Sequence, residues 1–224
     1  MKFTASAAAM VAATAWLGSP MGAPPAKAAP CPDVNVVFAR GTDEPPGVGV
    51  VGQTFVDAFR ADVGNTVTVD VYPVNYPASR DYPTGVEGVI DADNHIRDVT
   101  TACPATKIVL GGYSQGAGVI ALLTSDGTTP GSAALPTPPA PLPPAVANQV
   151  AAVALFGKPS PGVLDSLGMP RLAVGPLYAS KTIDLCVDGD PICSADQNNS
   201  IVPHLLYGVN GMAAEAAQFA ARQL

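Results

Sequence analysis

Charged side chains are scarce in this 224-residue chain: 11 Lys and Arg against 18 Asp and Glu make up 13% of it, and nowhere do the basic residues cluster. A net charge of −7 without a basic patch argues against nucleic acid or an anionic lipid surface as a partner. Histidine is rarer still, with only His95 and His204, and the four cysteines contain no C-x-x-C pair, so a zinc site lacks ligands at workable spacing. Heptads and internal repeats are missing, which removes coiled coils and solenoids. No apolar run reaches the ~20 residues needed to span a bilayer, so no integral membrane association is expected.

What is present suits one globular domain: 48% of the chain is apolar, and 24 Pro and 22 Gly mostly bracket apolar runs as turn punctuation. The first residues differ from the rest. Lys2 precedes a weakly apolar run from Ala7 to Leu17, and Ala26-Lys27-Ala28 offers an A-x-A cleavage site, so residues 1–28 are expected to be a secretory signal and 29–224 the mature domain. Loss of Lys2 and Lys27 would leave 9 basic against 18 acidic residues, a net charge of −9. The product is expected to be secreted, extracellular and monomeric. Four cysteines in an oxidising compartment then imply disulfides, for which three pairings exist. The short spacing of Cys186 and Cys193 around a Gly-Asp-Pro turn favours a local bridge, which leaves Cys31 for Cys103.

From residue 34 short β-branched runs alternate with longer segments of helical period, the pattern of an α/β fold with a mostly parallel sheet. Strands are expected over 34–38, 66–72, 107–111, 150–156 and 182–185, and helices over 47–59, 86–101 and 115–123. A final helix would place Leu205, Val209, Met212, Ala216 and Phe219 on one face. Between Thr128 and Pro144 the density of proline excludes helix and central strand, and an extended surface loop is expected.

The sharpest motif is Gly112-Tyr113-Ser114-Gln115-Gly116, a G-x-S-x-G between a buried strand and a helix, where a tight turn pushes the serine hydroxyl out at the sheet edge. A serine hydroxyl needs a base within hydrogen-bond reach, usually histidine. His95 falls opposite the apolar stripe of its helix and reads as a solvated surface residue. His204 follows Pro203 in a loop that returns to the strand edge, and is the base by elimination. The acid that orients it should lie between 114 and 204. Asp126, Asp165 and Asp184 have structural explanations, and Asp190 stands just past a strand end inside the 186–193 loop, with Asp188 as the alternative.

These segments carry a resemblance. Phe38-Ala39-Arg40-Gly41-Thr42, the serine motif, Cys186-Val187-Asp188-Gly189-Asp190-Pro191-Ile192-Cys193 and Pro203-His204-Leu205 together resemble the cutinase family, especially its actinobacterial members, over nearly the whole mature chain. The resemblance implies an α/β-hydrolase three-layer sandwich with a central five-stranded parallel sheet. It also implies disulfides Cys31–Cys103 and Cys186–Cys193, the triad Ser114, His204 and Asp190, and an oxyanion hole formed by Thr42 and the backbone N–H of Gln115. No cofactor and no metal are called for. One departure is the polar stretch Asp196 to Ser200 before the histidine, where fungal cutinases carry apolar residues that hold lipid-like substrates. The expected activity is hydrolysis of small-molecule or lipid-like carboxylic esters of short to medium acyl chain. An acetylxylan esterase is the rival within enzymes, and a secreted binding or antigen-like protein with a dormant site is the rival from another class.

Overall fold

The computed structural model describes residues 30–126, 137–194 and 200–224. The described elements run β1 (Val34–Ala39), α1 (Gly49–Val63), β2 (Val69–Pro73), α2 (Gly85–Ala102), β3 (Lys107–Tyr113), α3 (Gln115–Leu123), α4 (Pro144–Ala147), β4 (Val150–Phe156), α5 (Pro161–Ser166), α6 (Pro176–Ala179), β5 (Thr182–Leu185) and α7 (Met212–Ala221). Single 3₁₀ turns occupy Tyr82–Thr84 and Val202–Leu205. The five strands form one sheet in the order β2-β1-β3-β4-β5, and every neighbouring pair is parallel.

Parallel strands need crossovers that cover both faces, so their side chains are buried on both sides. All six residues of β1 and all seven of β4 are buried. On one face Phe38, Val109 and Phe156 pack with Phe55 and Phe59 of α1 and Ala213, Ala216, Ala217 and Ala220 of α7. On the other, Leu110, Val153 and Leu155 meet Val89 and Ile96 of α2 and Val119 and Ile120 of α3. The fold is therefore a three-layer α/β sandwich with the sheet in the middle. All strands point the same way, so the loops after β1, β3, β4 and β5 gather at one edge, where such sheets place their sites.

Two expectations are corrected. The final helix starts only at Met212, because Gly208 and the left-handed Gly211 (φ 92°) interrupt the period read from Leu205. Leu205 and Val209 consequently point outward at 63% and 80% exposure, and a row of alanines forms the buried face. His95 is half-buried, not solvated: its ring stacks on Tyr72 at 3.5 Å and its Nε2 lies 3.0 Å from Oδ1 of Asn35, a buried residue of β1. Burial holds its pKa below the usual value despite the nearby Asp91, Asp70 and Asp98. Most of the proline-rich stretch lies outside the described residues. Its described end, 137–143, is irregular and mostly exposed, in line with the extended surface loop expected, with Leu142 (4% exposed) tied into the α2/α3 core. Smaller shifts concern α1 and β2, which begin two and three residues later than the pattern indicates.

Candidate active site

The strand β3 delivers Ser114 into the turn before α3 with φ 56° and ψ −118°, a conformation rare outside glycine. Such strain of about 1–3 kcal/mol persists only where the surroundings enforce it. Here the two motif glycines do so. A Cβ on Gly112 would collide with the backbone of Gly116, and one on Gly116 with the carbonyls of Ala39 and Arg40. Only glycine lets α3 start this close to β1 and β3, and that closeness tips the Ser114 hydroxyl out at the sheet edge.

Against this hydroxyl the 3₁₀ turn Val202–Leu205 sets His204, 5% exposed, with Nε2 at 2.8 Å from Ser114 Oγ. On the far side of the ring, Nδ1 lies 2.7 Å from Asp190 Oδ2. An ionised carboxylate only accepts, so Nδ1 carries the hydrogen, Nε2 is the acceptor, and the serine O–H donates to it. The ring also lies on Tyr113 at 5.0 Å, and the Tyr113 hydroxyl donates to the His204 carbonyl at 2.7 Å.

Asp190 is completely buried, its Oδ1 accepting the Ile192 N–H at 2.8 Å and its Oδ2 accepting the Tyr207 hydroxyl at 2.6 Å. The Cys186–Cys193 disulfide closes the loop that carries it, and a second disulfide joins Cys31 to Cys103. Cys186, Cys193 and Asp190 group closely enough to suggest metal ligands, but both sulfurs are tied up in the bridge and offer no thiolate. Asp188 is exposed, in the turn before Asp190. Asp165 pairs with Arg171 and Asp184 with Lys158. The structure thus brings Ser114, His204 and Asp190 together, while Asp165 and Asp184 are held in ion pairs of their own.

The loop after β1 reaches the same edge. Thr42 donates its hydroxyl to Gln115 Oε1 at 3.3 Å, and Gln115 Nε2 donates to the Ser79 carbonyl at 3.1 Å. Gln115 opens α3, so its backbone N–H has no partner within the helix. Behind Thr42, the buried Arg40 guanidinium donates to the carbonyls of Glu44, Val74 and Tyr76, while Glu44 accepts the N–H groups of Gly41 and Val50. This clamp fixes the loop and was not foreseen from the sequence, where Arg40 entered only as part of the Phe38–Thr42 segment and Glu44 was given no role.

A cleft opens from Ser114 along the outer side of α3, bounded by Val86 and Val89 of α2, by Gly118, Val119 and Leu122 of α3, and by Val163, Leu164, Leu167 and Leu172 from α5 and the chain after it. Its walls are mostly apolar, with Thr42, Ser114 and Gln115 at its head. The sequence gives little sign of it, because Val163 to Leu172 carries no motif and makes a wall only once α5 folds over α3. The polar stretch 195–199 lies outside the described residues; Ile201 and Val202, which follow it, are half exposed at 50% and 58%.

A parallel sheet crossed by helices, with a serine on a strained strand-to-helix turn bonded to a histidine, defines an α/β hydrolase. The comparisons narrow this. The Cutinase family model matches residues 30–224. The chain is 48% identical to carboxylesterase Culp1 of Mycobacterium tuberculosis over 213 residues, 94% of this chain and 90% of that protein. It is 46% identical to phospholipase Culp4 of the same organism over 227 residues, covering 100% and 92%. Among solved structures it is similar to Trichoderma reesei cutinase in complex with a phosphonate inhibitor (TM-score 0.66, 36% identity, 87% of this chain and 77% of that one). It is similar as well to the catalytic core of acetyl xylan esterase from Trichoderma reesei (TM-score 0.71, 26% identity, 87% and 100%). The chain belongs to the cutinase family and is an ester hydrolase. Among the described residues no helix is long and apolar enough to cross a membrane.

Proposed function

We propose that the protein is a secreted serine esterase, led out by residues 1–28, that hydrolyses carboxylic esters of short to medium acyl chain through an acyl-enzyme. The observation that carries this reading is the unbroken relay from Ser114 Oγ through the His204 ring to the buried Asp190. His204 takes the serine proton at Nε2 as Ser114 attacks the ester carbonyl, and Asp190 stabilises the imidazolium that forms. The backbone N–H of Gln115 and the Thr42 hydroxyl, released from its resting contact with Gln115 Oε1, receive the developing oxyanion. His204 then returns the proton to the leaving alcohol. In the second half it activates water, which releases the acid and frees Ser114.

The apolar cleft sets the acyl preference. Gln115, Gly118 or Val119, and Leu122 line successive turns of α3, so from Ser114 the cleft follows the helix for about 12 Å at 1.5 Å per residue. An extended alkyl chain, with C–C bonds of ~1.5 Å, advances roughly 1.3 Å per carbon, so about nine carbons fill that length. Each buried methylene contributes about 0.8 kcal/mol until the walls end. A deacetylase would leave this cleft empty, which favours longer acyl groups over acetylated sugar. The test is hydrolysis of p-nitrophenyl butyrate by the wild type and by Ser114→Ala: activity kept in the variant rejects the assignment.

A further inference from the structure

Tyr207 follows His204 by three residues and is completely buried, with its ring boxed by Phe156, Tyr113 and His204 at centroid distances of 6.2, 5.8 and 6.1 Å. Its hydroxyl has three neighbours: Asp190 Oδ2 at 2.6 Å, the Val187 N–H at 3.0 Å and Cys193 Sγ at 3.2 Å. The Val187 amide can only donate, so it occupies a lone pair of the phenol oxygen. The disulfide sulfur carries no hydrogen. The phenol's single proton is therefore committed to the carboxylate. Burial and that carboxylate both push the Tyr207 pKa up, so the proton stays on through the working range.

Asp190 Oδ2 thus accepts from two donors at once, His204 Nδ1–H and Tyr207 O–H. We propose that Tyr207 is a positioning residue of this site, acting through Asp190 on His204; the proposal rests on the reading of Ser114, His204 and Asp190 as the reacting array. Two physical effects combine. The first is geometric: a carboxylate on a short disulfide loop needs both oxygens fixed, and Ile192 N–H holds Oδ1 while Tyr207 holds Oδ2. By accepting from Val187 as well, the same hydroxyl ties the opposite arm of that loop. The second is electrostatic, because a second donor on Oδ2 shares its charge and moderates how strongly it draws the Nδ1 proton in a low-dielectric site. The surrounding backbone makes room for this arrangement: Gly157 has φ 58°, and a Cβ there would come within 2.9 Å of the His204 ring and 3.1 Å of the Tyr207 ring.

The test is Tyr207→Phe in the full chain, with Tyr178→Phe as control, since the Tyr178 hydroxyl is buried on the far face of the sheet and has no hydrogen-bond partner among the described residues. The variant should lower kcat for p-nitrophenyl butyrate by about ten- to hundredfold, the range for losing one hydrogen bond to a charged group. KM should stay unchanged, and the downfield proton resonance of the His204–Asp190 hydrogen bond should move. In an Asp190→Asn background the same substitution should cost little further, because its route to the histidine is already broken. Unchanged kcat, a kcat loss with the resonance unmoved, or full additivity with Asp190→Asn would each overturn the proposal. If Tyr207→Phe fails to fold, 3-fluorotyrosine placed at 207 alone keeps the ring and sharpens the donor; it must move the resonance, and an unmoved resonance overturns the proposal. Failure of the array itself would show separately, as activity surviving in Ser114→Ala.

Discussion

Asp190 and His204 are 14 residues apart in the chain, yet Oδ2 of one lies 2.7 Å from Nδ1 of the other, with the carboxylate fully buried. A disulfide loop and a 3₁₀ turn, neither of them a long helix or a strand, hold the pair. The rigidity of the array therefore depends on local ties and not on sheet packing alone, and the first two predictions follow from that.

Ser114→Ala, His204→Ala and the double variant should lose similar amounts of esterase activity, because members of one relay act as a unit. Initial rates on p-nitrophenyl butyrate measure this. Additive losses would mean that the serine and histidine work independently.

Replacing Cys186 and Cys193 by serine should harm activity more than stability, since that bridge closes the loop holding Asp190. Replacing Cys31 and Cys103 should do the reverse. The sequence separations are 7 and 72 residues, and in the chain-entropy model such loops are worth roughly 2 and 4 kcal/mol. Thermal melts and rates of the two double variants should separate the effects; equal changes in both measures would contradict this.

His95 supplies a stability signature without a catalytic one. Its pKa is lowered in the fold by burial, so the unfolded chain binds the proton more readily. The contribution is fully present above the unfolded value of about 6.5 and is lost as pH falls from there through the lower folded value. His95→Gln should flatten this part of the stability–pH curve while leaving kcat near wild type. A large loss of kcat in the folded variant would place His95 in the chemistry.

What could be read from the chain follows where the constraint was local. The strands β4 and β5, the helix α3 and the serine turn announced themselves through short apolar runs and the G-x-S-x-G spacing, and His204 through the scarcity of histidine. The half-buried state of His95 was hidden because its partner Asn35 lies 60 residues away, on β1. The last helix was overextended because Leu205 and Val209 fit a helical period, while the left-handed Gly211 that breaks it is a property of the backbone. The apolar cleft and the contacts of Tyr207 needed the tertiary fold, since Val163 to Leu172 carries no motif and Tyr207 lies beyond the Pro203-His204-Leu205 segment.

The cleft gives a size prediction. A Cβ on Gly118 would approach Leu172 Cδ1 at 3.3 Å, so Gly118→Leu should plug the cleft one turn beyond Ser114. The wild type should prefer p-nitrophenyl esters of medium chain, and the variant should shift that preference towards acetyl and butyryl esters. Each lost methylene would cost about 0.8 kcal/mol, close to fourfold in kcat/KM. An unchanged chain-length profile would place the acyl chain elsewhere, as would a wild-type optimum at C16.

In the proposed mechanism Ser114 is the nucleophile, and a covalent probe reads this directly. Wild-type protein treated with an alkyl phosphonate probe should lose esterase activity in step with labelling, and mass spectrometry of the digest should find one adduct, on Ser114. Ser114→Ala should take up none. An adduct on another residue, or full inhibition without modification of Ser114, would contradict it.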